Sequence, residues 1–251
     1  MGQRLIALGS TDPEFKIVAA LEHASHPELG LDAGLVAGVK ELRVPLTGAL
    51  HVDADAMIDF SIPEGAEAAL QACLSHKTPL VMATTGLSES IKSQLFDASN
   101  TIPIVWSPSM SLAVNLAMKL VATAAAALKG NPSGVDVEII ERHHRTKEDS
   151  PSGTALKFGE IISGVMGQQV HKHGREGIVG KRPPDEIGYH AVRVGDNPGE
   201  HTIIFGLLGE TLEVRVAASN RDCYALGALA AAKFVARQKP GLYNMYDVLG
   251  L

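Results

Sequence analysis

Residues 56–86 read AMIDFSIPEGAEAALQACLSHKTPLVMATTG and contain a complete strand–helix–strand pattern. Residues 56–61 and 79–86 are short apolar runs that end in small polar residues, which is typical of buried strands. Residues 63–76, between them, predict a helix with Pro63 in its first turn, where proline is favoured. Apolar strands with polar ends and an intervening helix predict a parallel sheet.

The same alternation continues on both sides of this unit. Further elements are predicted from the sequence: a helix over 2–8, a compact apolar run over 15–22, a strand over 102–109 and an alanine-rich helix over 111–129. We therefore predict an α/β fold with a doubly wound parallel sheet. In such sheets ligands bind beyond the carboxyl ends of the strands, which here carry Ser61, residues 84–86 and residues 107–109.

The beginning of the chain lacks part of a dinucleotide-binding unit. Such a unit opens with a strand and a glycine-rich turn, and it carries an acid about 20 residues further on that binds the adenosine ribose. Glu22 lies where that acid is expected, although it could also be an ordinary carboxylate at the end of a strand. No strand and turn precede Gly2. The missing first strand is central in such a sheet, so we expect a gap with unpaired ladder groups. Either the true start lies upstream of Met1, which we favour, or this is a truncated form with impaired cofactor binding.

The second half of the chain predicts a different kind of sheet. Residues 134–144 alternate like a half-buried strand, and a helix follows over about 151–166. Strands joined by turns rich in Gly, Asn and Pro favour an antiparallel or mixed sheet with one exposed face. These strands are expected over residues 188–196, 199–209 and 210–219. A last helix is expected over about 222–237. We therefore expect a dinucleotide-binding domain over 1–110, a second α+β domain over 111–225, and a C-terminal segment, 226–251, that packs back on the first domain.

The composition excludes several classes of function. The net charge of −6 and the aromatic content of only 4% disfavour a nucleic-acid binder, which needs a basic face with stacking rings. The two cysteines, Cys73 and Cys223, form no CxxC pair, as expected for a reduced, intracellular protein. No secretory leader is recognised, and the longest apolar segment, 112–128, is interrupted by Asn115 and Lys119. We expect a soluble, cytoplasmic protein that binds neither nucleic acid nor membranes.

Residues 139–156, IIERHHRTKEDSPSGTAL, carry the most specific chemistry of the chain. Three cations and two histidines fall within residues 142–147, although the chain is acidic overall. Ser150 is predicted to be the N-cap of the following helix, and Pro151 its first residue. The amides of residues 152–154 then have no partner within the helix and carry the positive end of its dipole, which is an arrangement that binds anions.

Several interpretations of this loop are open. Adjacent residues of a strand point to opposite faces, so His143 and His144 are expected to have different roles. A solvated basic loop before an ordinary capped helix would explain each residue singly. The whole ordered set, which includes Lys147, Gly153 and Thr154, favours an anion-binding catalytic site. A zinc site is disfavoured, because adjacent histidines lack the i, i+4 spacing of helical ligands and no cysteine or glutamate partner is suitably placed.

Residues 141–155, ERHHRTKEDSPSGTA, resemble the signature E-x-H-H-x-x-K-x-D-x-P-S-G-T-A of the 4-hydroxy-tetrahydrodipicolinate reductase (dihydrodipicolinate reductase) family. Similar segments run through almost the whole chain, among them MIDFSIPEG at 57–65, ATTGL at 83–87 and GEHTIIF at 199–205. The resemblance implies a Rossmann-like domain and a smaller domain whose sheet builds a homotetramer. It also implies hydride transfer from NADH or NADPH to a cyclic dicarboxylate in lysine and diaminopimelate biosynthesis.

The resemblance further implies roles for individual residues. His143 matches the proton donor and Lys147 the second catalytic residue. Contacts to the substrate carboxylates are implied for His144, Gly153 and Thr154, and contacts to the cofactor for Glu22, Ala83, Thr84, Thr85, Ser107, Pro108, Ser109 and Met110. This chain departs from the family where it has Ala83 in place of a common glycine. It also has Ser109–Met110–Ser111 where Asn-Phe-Ser is common, so the contacts beside the nicotinamide differ from the family pattern.

Two other hypotheses stand beside an active reductase. The first is a truncated or non-catalytic relative that binds dicarboxylates through its second domain without using a nucleotide. The second is another two-domain oxidoreductase, such as an amino-acid or polyol dehydrogenase. The histidine-lysine-Ser-Gly-Thr signature disfavours the second.

Glu22 also predicts which cofactor is preferred. An acid at this position binds the ribose 2′-hydroxyl of NADH and repels the 2′-phosphate of NADPH unless a cation neutralises it. No Arg or Lys follows Glu22 before Lys40. His23 and His26 would attract the phosphate only when protonated. We therefore expect NADH to be preferred, with NADPH gaining ground as the pH falls toward about 6.

Overall fold

The computed structural model describes residues 1–251, which divide into two compact units. Unit 1 comprises Met1–Leu112 and Asp222–Leu251, and unit 2 comprises Ala113–Arg221. The chain thus leaves unit 1, completes unit 2 and returns to unit 1. No helix combines the length and the apolar composition that a membrane crossing requires.

Helices and strands are numbered in chain order. The helices are α1 (Gly2–Gly9), α2 (Ala33–Val36), α3 (Pro63–His76), α4 (Glu89–Ala98), α5 (Leu112–Leu128), α6 (Gly153–Met166), α7 (Asp222–Val235) and α8 (Met245–Leu249). The strands are β1 (Ala20–Leu21), β2 (Leu46–Thr47), β3 (Met57–Asp59), β4 (Leu80–Met82), β5 (Pro103–Trp106), β6 (Asp136–His143), β7 (Val170–His173), β8 (Glu186–Arg193), β9 (Glu200–Leu207), β10 (Glu210–Ala217) and β11 (Gly241–Tyr243).

Unit 1 contains a four-stranded parallel sheet with the order β11-β5-β4-β3. The predicted parallel, doubly wound sheet is confirmed, and α3 connects β3 to β4 as predicted. β1 and β2 form a separate two-stranded parallel sheet, so the apolar run over 15–22 contributes only Ala20–Leu21. The two groups of strands are not hydrogen-bonded to each other.

Helices cover both faces of the four-stranded sheet, which explains why its strands are almost continuously apolar. On one face, Val81 and Val105 pack in a buried cluster with residues of α1 and α7. On the other face, Leu80, Met82 and Ile104 pack in a second cluster with residues of α3 and α4. Neighbouring strand residues point to opposite faces, so every position of β4 is buried. Each large apolar side chain in such a core contributes about 1.5–3 kcal/mol to stability.

Unit 2 contains a five-stranded sheet with the order β10-β9-β6-β8-β7. The pairs β10–β9 and β9–β6 are antiparallel, and β6–β8 and β8–β7 are parallel, so the predicted mixed sheet is confirmed. In β6 burial alternates with the side-chain direction, and Val137, Ile139, Glu141 and His143 are all buried. The functional residues of this strand therefore share a face with its apolar core residues.

The two faces of the mixed sheet differ in what covers them. The buried face lies against α6, where the Phe158 ring centroid is 6.0 Å from that of His201 in β9. The opposite face carries Glu138, Ile140 and Arg142 of β6 and is called the open face below. Its apolar side chains are partly exposed, as Ile140 illustrates.

Candidate active site

The loop that carries the sequence signature connects the end of β6 to the start of α6. His143 is the last residue of β6 and is buried, whereas His144 begins the loop and binds Thr146 Oγ1 through Nδ1 at 2.8 Å. The Lys147 ammonium donates to Asp149 Oδ1 at 2.5 Å. The two adjacent histidines therefore have different hydrogen-bond partners, since His143 binds Glu141.

The N-cap of α6 is Ser152, whose Oγ accepts a hydrogen bond from the Ala155 N–H at 3.2 Å. The prediction that Ser150 is the N-cap and Pro151 the first helical residue is wrong. The reason lies in the Ser152 N–H, which donates to Glu141 Oε1 at 3.0 Å and keeps this residue in an extended conformation. The helix therefore starts two residues later than the sequence pattern predicts.

The amides of Gly153 and Thr154 open the helix. Because they occupy its first two positions, their N–H groups have no acceptor within α6. A Cβ added at Gly153 would meet no atom within 4 Å, so the backbone there is open to an approaching group. Unpaired amides at the positive end of a helix dipole form a site for a carboxylate.

Glu141 and His143 form a buried pair on the same face of β6. Their side chains are two residues apart, and His143 Nδ1 lies 2.6 Å from Glu141 Oε2. This contact leaves His143 Nε2 without a hydrogen-bond partner in the protein. Glu141 was not among the residues predicted from the sequence, although its i, i+2 spacing from His143 is a signal that could have indicated it.

Arg193, in the neighbouring strand β8, binds the same carboxylate in a bidentate arrangement. Its Nη1 donates to Glu141 Oε2 at 2.7 Å and its Nη2 donates to Oε1 at 2.8 Å. Nη2 also donates to the Asp149 carbonyl at 2.6 Å. Arg193 therefore connects the buried carboxylate to the loop that carries Lys147.

The charges of this group are set by burial and by these contacts. Burial alone would raise the pKa of Glu141, but hydrogen bonds from Arg193, His143 and the Ser152 N–H outweigh it and hold the pKa below its usual value. Burial lowers the pKa of His143, and the cations of Lys147 and Arg193 lower it further, whereas Glu141 opposes them. Glu141 is therefore ionised at neutral pH, and His143 Nδ1 carries the hydrogen that it donates.

His201 of β9 completes the buried side of the site. Its Nε2 lies 2.9 Å from Ser152 Oγ, and its ring meets that of His143 edge-on with centroids 5.2 Å apart. Burial, followed by the charge of His143, lowers the pKa of His201 to about 4, so the ring is neutral. Neither His201 nor Arg193 was predicted, because strand pairing brings them to the loop from distant parts of the sequence.

Gly199 provides the space that the His143 ring occupies. A Cβ at this position would lie 2.9 Å from His143 Nε2. The φ angle of Gly199 is +147°, which a residue with a side chain rarely adopts. Both observations explain why glycine stands here, directly before β9.

The residues predicted to contact a cofactor lie in unit 1. Residues 83–85 and 107–109 directly follow β4 and β5, whose registers place their carboxyl ends at the same edge of the sheet. Thr84 Oγ1 donates to the buried carboxylate of Asp59 at 2.5 Å, and Ser107 Oγ donates to the Ser109 carbonyl at 3.0 Å. Buried polar groups at this edge of a parallel sheet suit a nucleotide.

Two other predicted cofactor residues differ in their surroundings. Glu22 follows β1, is exposed, and accepts a hydrogen bond from the His23 N–H at 3.0 Å. The Met110 side chain is buried in the apolar cluster that contains Val81 and Val105. The whole residue is only 1% exposed, so Met110 contributes to the apolar core of unit 1.

Comparison of the chain with known proteins identifies its family. Residues 1–110 match the family described as dihydrodipicolinate reductase, N-terminus, and residues 113–249 match its C-terminus. The chain belongs to the dihydrodipicolinate reductase family. It is 56% identical to 4-hydroxy-tetrahydrodipicolinate reductase from Rhodopirellula baltica, over all of this chain and 92% of that protein. It is 44% identical to the enzyme of the same name from Burkholderia thailandensis, over all of this chain and 94% of that protein.

Solved structures share the fold. The dipicolinate-bound dihydrodipicolinate reductase from Paenisporosarcina sp. TG-14 superposes with a TM-score of 0.77 at 24% identity, covering 98% of this chain and 94% of that one. A myo-inositol dehydrogenase from Corynebacterium glutamicum superposes with a TM-score of 0.56 at 11% identity, covering 96% of this chain and 86% of that one. The Rossmann-like fold is therefore shared with enzymes of other specificity.

Membership of the dihydrodipicolinate reductase family decides between the hypotheses drawn from the sequence. The chain is an oxidoreductase that catalyses the 4-hydroxy-tetrahydrodipicolinate reductase step of lysine biosynthesis, with a pyridine nucleotide as cofactor. The alternative of a non-catalytic relative is not favoured.

Proposed function

We propose that His143 is the proton donor of this reductase and that Lys147 is its second catalytic residue. The observation that carries the proposal is the bond between His143 Nδ1 and the ionised Glu141, which leaves Nε2 as the nitrogen that can exchange a proton with substrate. A bound reduced nucleotide supplies the hydride. Protonated His143 then gives its Nε2 proton to the carbon that hydride addition leaves electron-rich, and it becomes the neutral imidazole with its hydrogen on Nδ1. A histidine suits this step near neutral pH.

We further propose that His144, Gly153 and Thr154 bind the carboxylates of the substrate. Support comes from the two free amides at the start of α6 and from the Lys147 cation in the loop before it. The relative from Paenisporosarcina was solved with dipicolinate, a planar dicarboxylate, which agrees with a ligand of this charge.

For the cofactor, we propose contacts from Glu22, from residues 83–85 and from residues 107–110. The buried hydroxyls of Thr84 and Ser107 at the edge of the parallel sheet support this assignment, because such groups can bind the polar parts of a nucleotide. Glu22 is exposed and free of any cation partner, which favours a ribose hydroxyl over a phosphate. We therefore propose that NADH is preferred at neutral pH.

A steady-state assay tests the reaction and the cofactor together. The purified protein should oxidise NADH in the presence of dihydrodipicolinate, with a kcat/KM above that for NADPH at pH 8. NADPH should gain relative ground at pH 6, because a protonated imidazole attracts a phosphate. A protein that binds dipicolinate but oxidises neither nucleotide would contradict the proposed roles. A strong preference for NADPH at pH 8 would contradict only the role of Glu22.

We also propose a homotetramer, built through the open face of the mixed sheet, and a cytoplasmic location. The open face carries apolar side chains that are partly exposed, among them Ile140 and Val192. Apolar groups on a sheet face that no helix of unit 2 covers are suited to packing against a second copy. Sedimentation velocity measures the assembly directly, and a monomer at micromolar concentration would contradict it.

A further inference from the structure

Glu141 contacts three different parts of the site at once. Its side chain is only 1% exposed, and it accepts hydrogen bonds from His143 of β6, Arg193 of β8 and the Ser152 N–H at the start of α6. One of these partners, His143, is the proposed proton donor. Another, Ser152, directly precedes the free amides of Gly153 and Thr154. A buried carboxylate without such partners would be strongly unfavourable, so the loss of any one of these contacts is costly.

We propose that Glu141 is a positioning residue that fixes the proton on His143 and the start of the substrate-binding helix in one arrangement. This inference rests on the proposed function of His143 and α6. Glu141 is not proposed to touch the substrate. It acts through His143 and Ser152, and its own charge is balanced by Arg193.

Glu141 determines which nitrogen of the His143 imidazole carries the hydrogen. An ionised carboxylate can only accept hydrogen bonds, so the nitrogen 2.6 Å from it must carry a hydrogen. Neutral His143 is therefore held with its hydrogen on Nδ1. Any proton that His143 gains or loses during turnover is then on Nε2, which is the nitrogen without a protein partner.

Glu141 also determines where α6 begins. The bond from the Ser152 N–H to Glu141 Oε1 holds Ser152 outside α6, where its Oγ caps the helix by accepting from Ala155. The first free amides are consequently those of Gly153 and Thr154. The same carboxylate therefore sets which nitrogen of His143 carries the proton and which amides are open to an anion.

Glu141 is one of several charged groups that affect the protonation of His143. Glu141 favours the protonated ring, whereas Lys147 and Arg193 disfavour it, and His201, which packs against the ring, is neutral. Replacing Glu141 by glutamine removes the single negative charge in contact with the ring. The protonated, proton-donating form of His143 should then persist only to lower pH.

The test compares Glu141→Gln with Glu138→Gln, a matched carboxylate of the same strand that also binds arginines and a histidine. In Glu141→Gln, kcat should fall about 10²-fold, and the alkaline limb of the kcat profile should move to lower pH. In Glu138→Gln, kcat should stay within about threefold, with the limb unmoved. Sedimentation velocity confirms that both variants keep the wild-type assembly. A Glu141→Gln enzyme with normal kcat and an unmoved limb would overturn the proposal.

A measurement on the wild-type protein keeps the proposal testable if Glu141→Gln does not fold. In ¹⁵N NMR of the histidine rings, the signals of His143 are assigned by their loss in His143→Gln. Neutral His143 should show a protonated Nδ1 and a bare Nε2, and the opposite tautomer would overturn the proposal. Because this measurement needs no turnover, it separates a failure of the positioning role from a failure of the proposed function.

Discussion

Two glutamates of β6, Glu138 and Glu141, lie three residues apart and bind the same types of residue. Each carboxylate binds one arginine through two hydrogen bonds, Arg175 for Glu138 and Arg193 for Glu141. Each also binds a histidine, at 2.7 Å for Glu138 and 2.6 Å for Glu141. The two faces of the sheet therefore carry the same set of residue types, a glutamate, an arginine and a histidine.

The two clusters differ in their surroundings. The Glu138 side chain is 21% exposed on the open face and has a second arginine, Arg182, as a further partner. Glu141 is 1% exposed and faces the N-terminus of α6. The histidines also differ, because His190 uses Nε2 to bind its glutamate whereas His143 uses Nδ1. Burial and the adjacent helix, rather than residue types, thus distinguish the candidate catalytic cluster from the other one.

A glycine on a neighbouring segment makes room for each cluster. A Cβ at Gly188 would lie 1.9 Å from Glu138 Oε2, and a Cβ at Gly199 would lie 2.9 Å from His143 Nε2. On the open face the glycine accommodates the carboxylate, and on the buried face it accommodates the ring that we propose to be reactive. Each glycine is therefore required by a close approach, and Gly199 also by its positive φ.

The largest expected effect separates the two histidines. His143→Ala should lower kcat by roughly 10²–10⁴-fold, the usual scale for a lost general acid, and Lys147→Ala should have an effect on the same scale. His190→Ala removes the equivalent histidine of the open face and should leave kcat within about threefold, since it breaks only a partly exposed contact with Glu138. Steady-state kinetics on the three variants provide the measurement. Near-normal turnover of His143→Ala and Lys147→Ala would remove both residues from the mechanism.

The fold could be predicted well where the signals are local. The bounds of α3 agree with the predicted helix over 63–76, because Pro63 marks its first turn and the next strand follows at once. The alternation of β6 was visible because one face of the strand is buried. β7 was not predicted, since all four of its residues are exposed and carry no alternation. β1 is shorter than its apolar run because it pairs only with β2.

The candidate site was predictable only in part for the same reason. His143 and Lys147 lie in one contiguous signature, so the sequence alone could indicate them. Arg193 reaches Glu141 from 52 residues away, and His201 reaches Ser152 from 49 residues away. Those contacts depend on the pairing of β6 with β8 and β9, which no local pattern specifies.

His201, which packs against the buried cluster, and Glu138 of the cluster on the open face should contribute stability over different ranges of pH. His201 has a folded pKa of about 4, below its ordinary value of 6.5, so its contribution is complete above 6.5 and is lost as the pH falls toward 4. A shift of this size corresponds to about 3 kcal/mol of unfolding free energy. The pKa of Glu138 is about 2, because its arginine and histidine partners outweigh burial. Its contribution is complete above 4.5 and is lost toward pH 2.

Chemical denaturation at a series of pH values, at constant protein concentration, separates these contributions. His201→Gln keeps a polar group beside Ser152 but does not titrate, so it should flatten the dependence between pH 6.5 and 4. The lowered pKa of His143 acts in the same direction, so some dependence should remain. Glu138→Gln should flatten only the range below pH 4.5. Equal effects of both variants in both ranges would show that the clusters are not energetically distinct.

The smallest expected effect concerns the helix N-terminus, which only the buried cluster faces. Gly153 and Gly164 both belong to α6, and a Cβ at either position would meet no atom within 4 Å, so both valine variants should fold. A side chain at Gly153 would obstruct the first free amides, whereas one at Gly164 lies in the last turn, away from them. Anions at helix N-termini gain up to about 2 kcal/mol, so Gly153→Val should weaken dipicolinate binding by about tenfold, with Gly164→Val unchanged. Calorimetry with dipicolinate measures both affinities, and Tm values control for damage to the fold. Equal binding by the two variants would mean that the carboxylates of the substrate are held elsewhere, and that burial alone distinguishes Glu141 from Glu138.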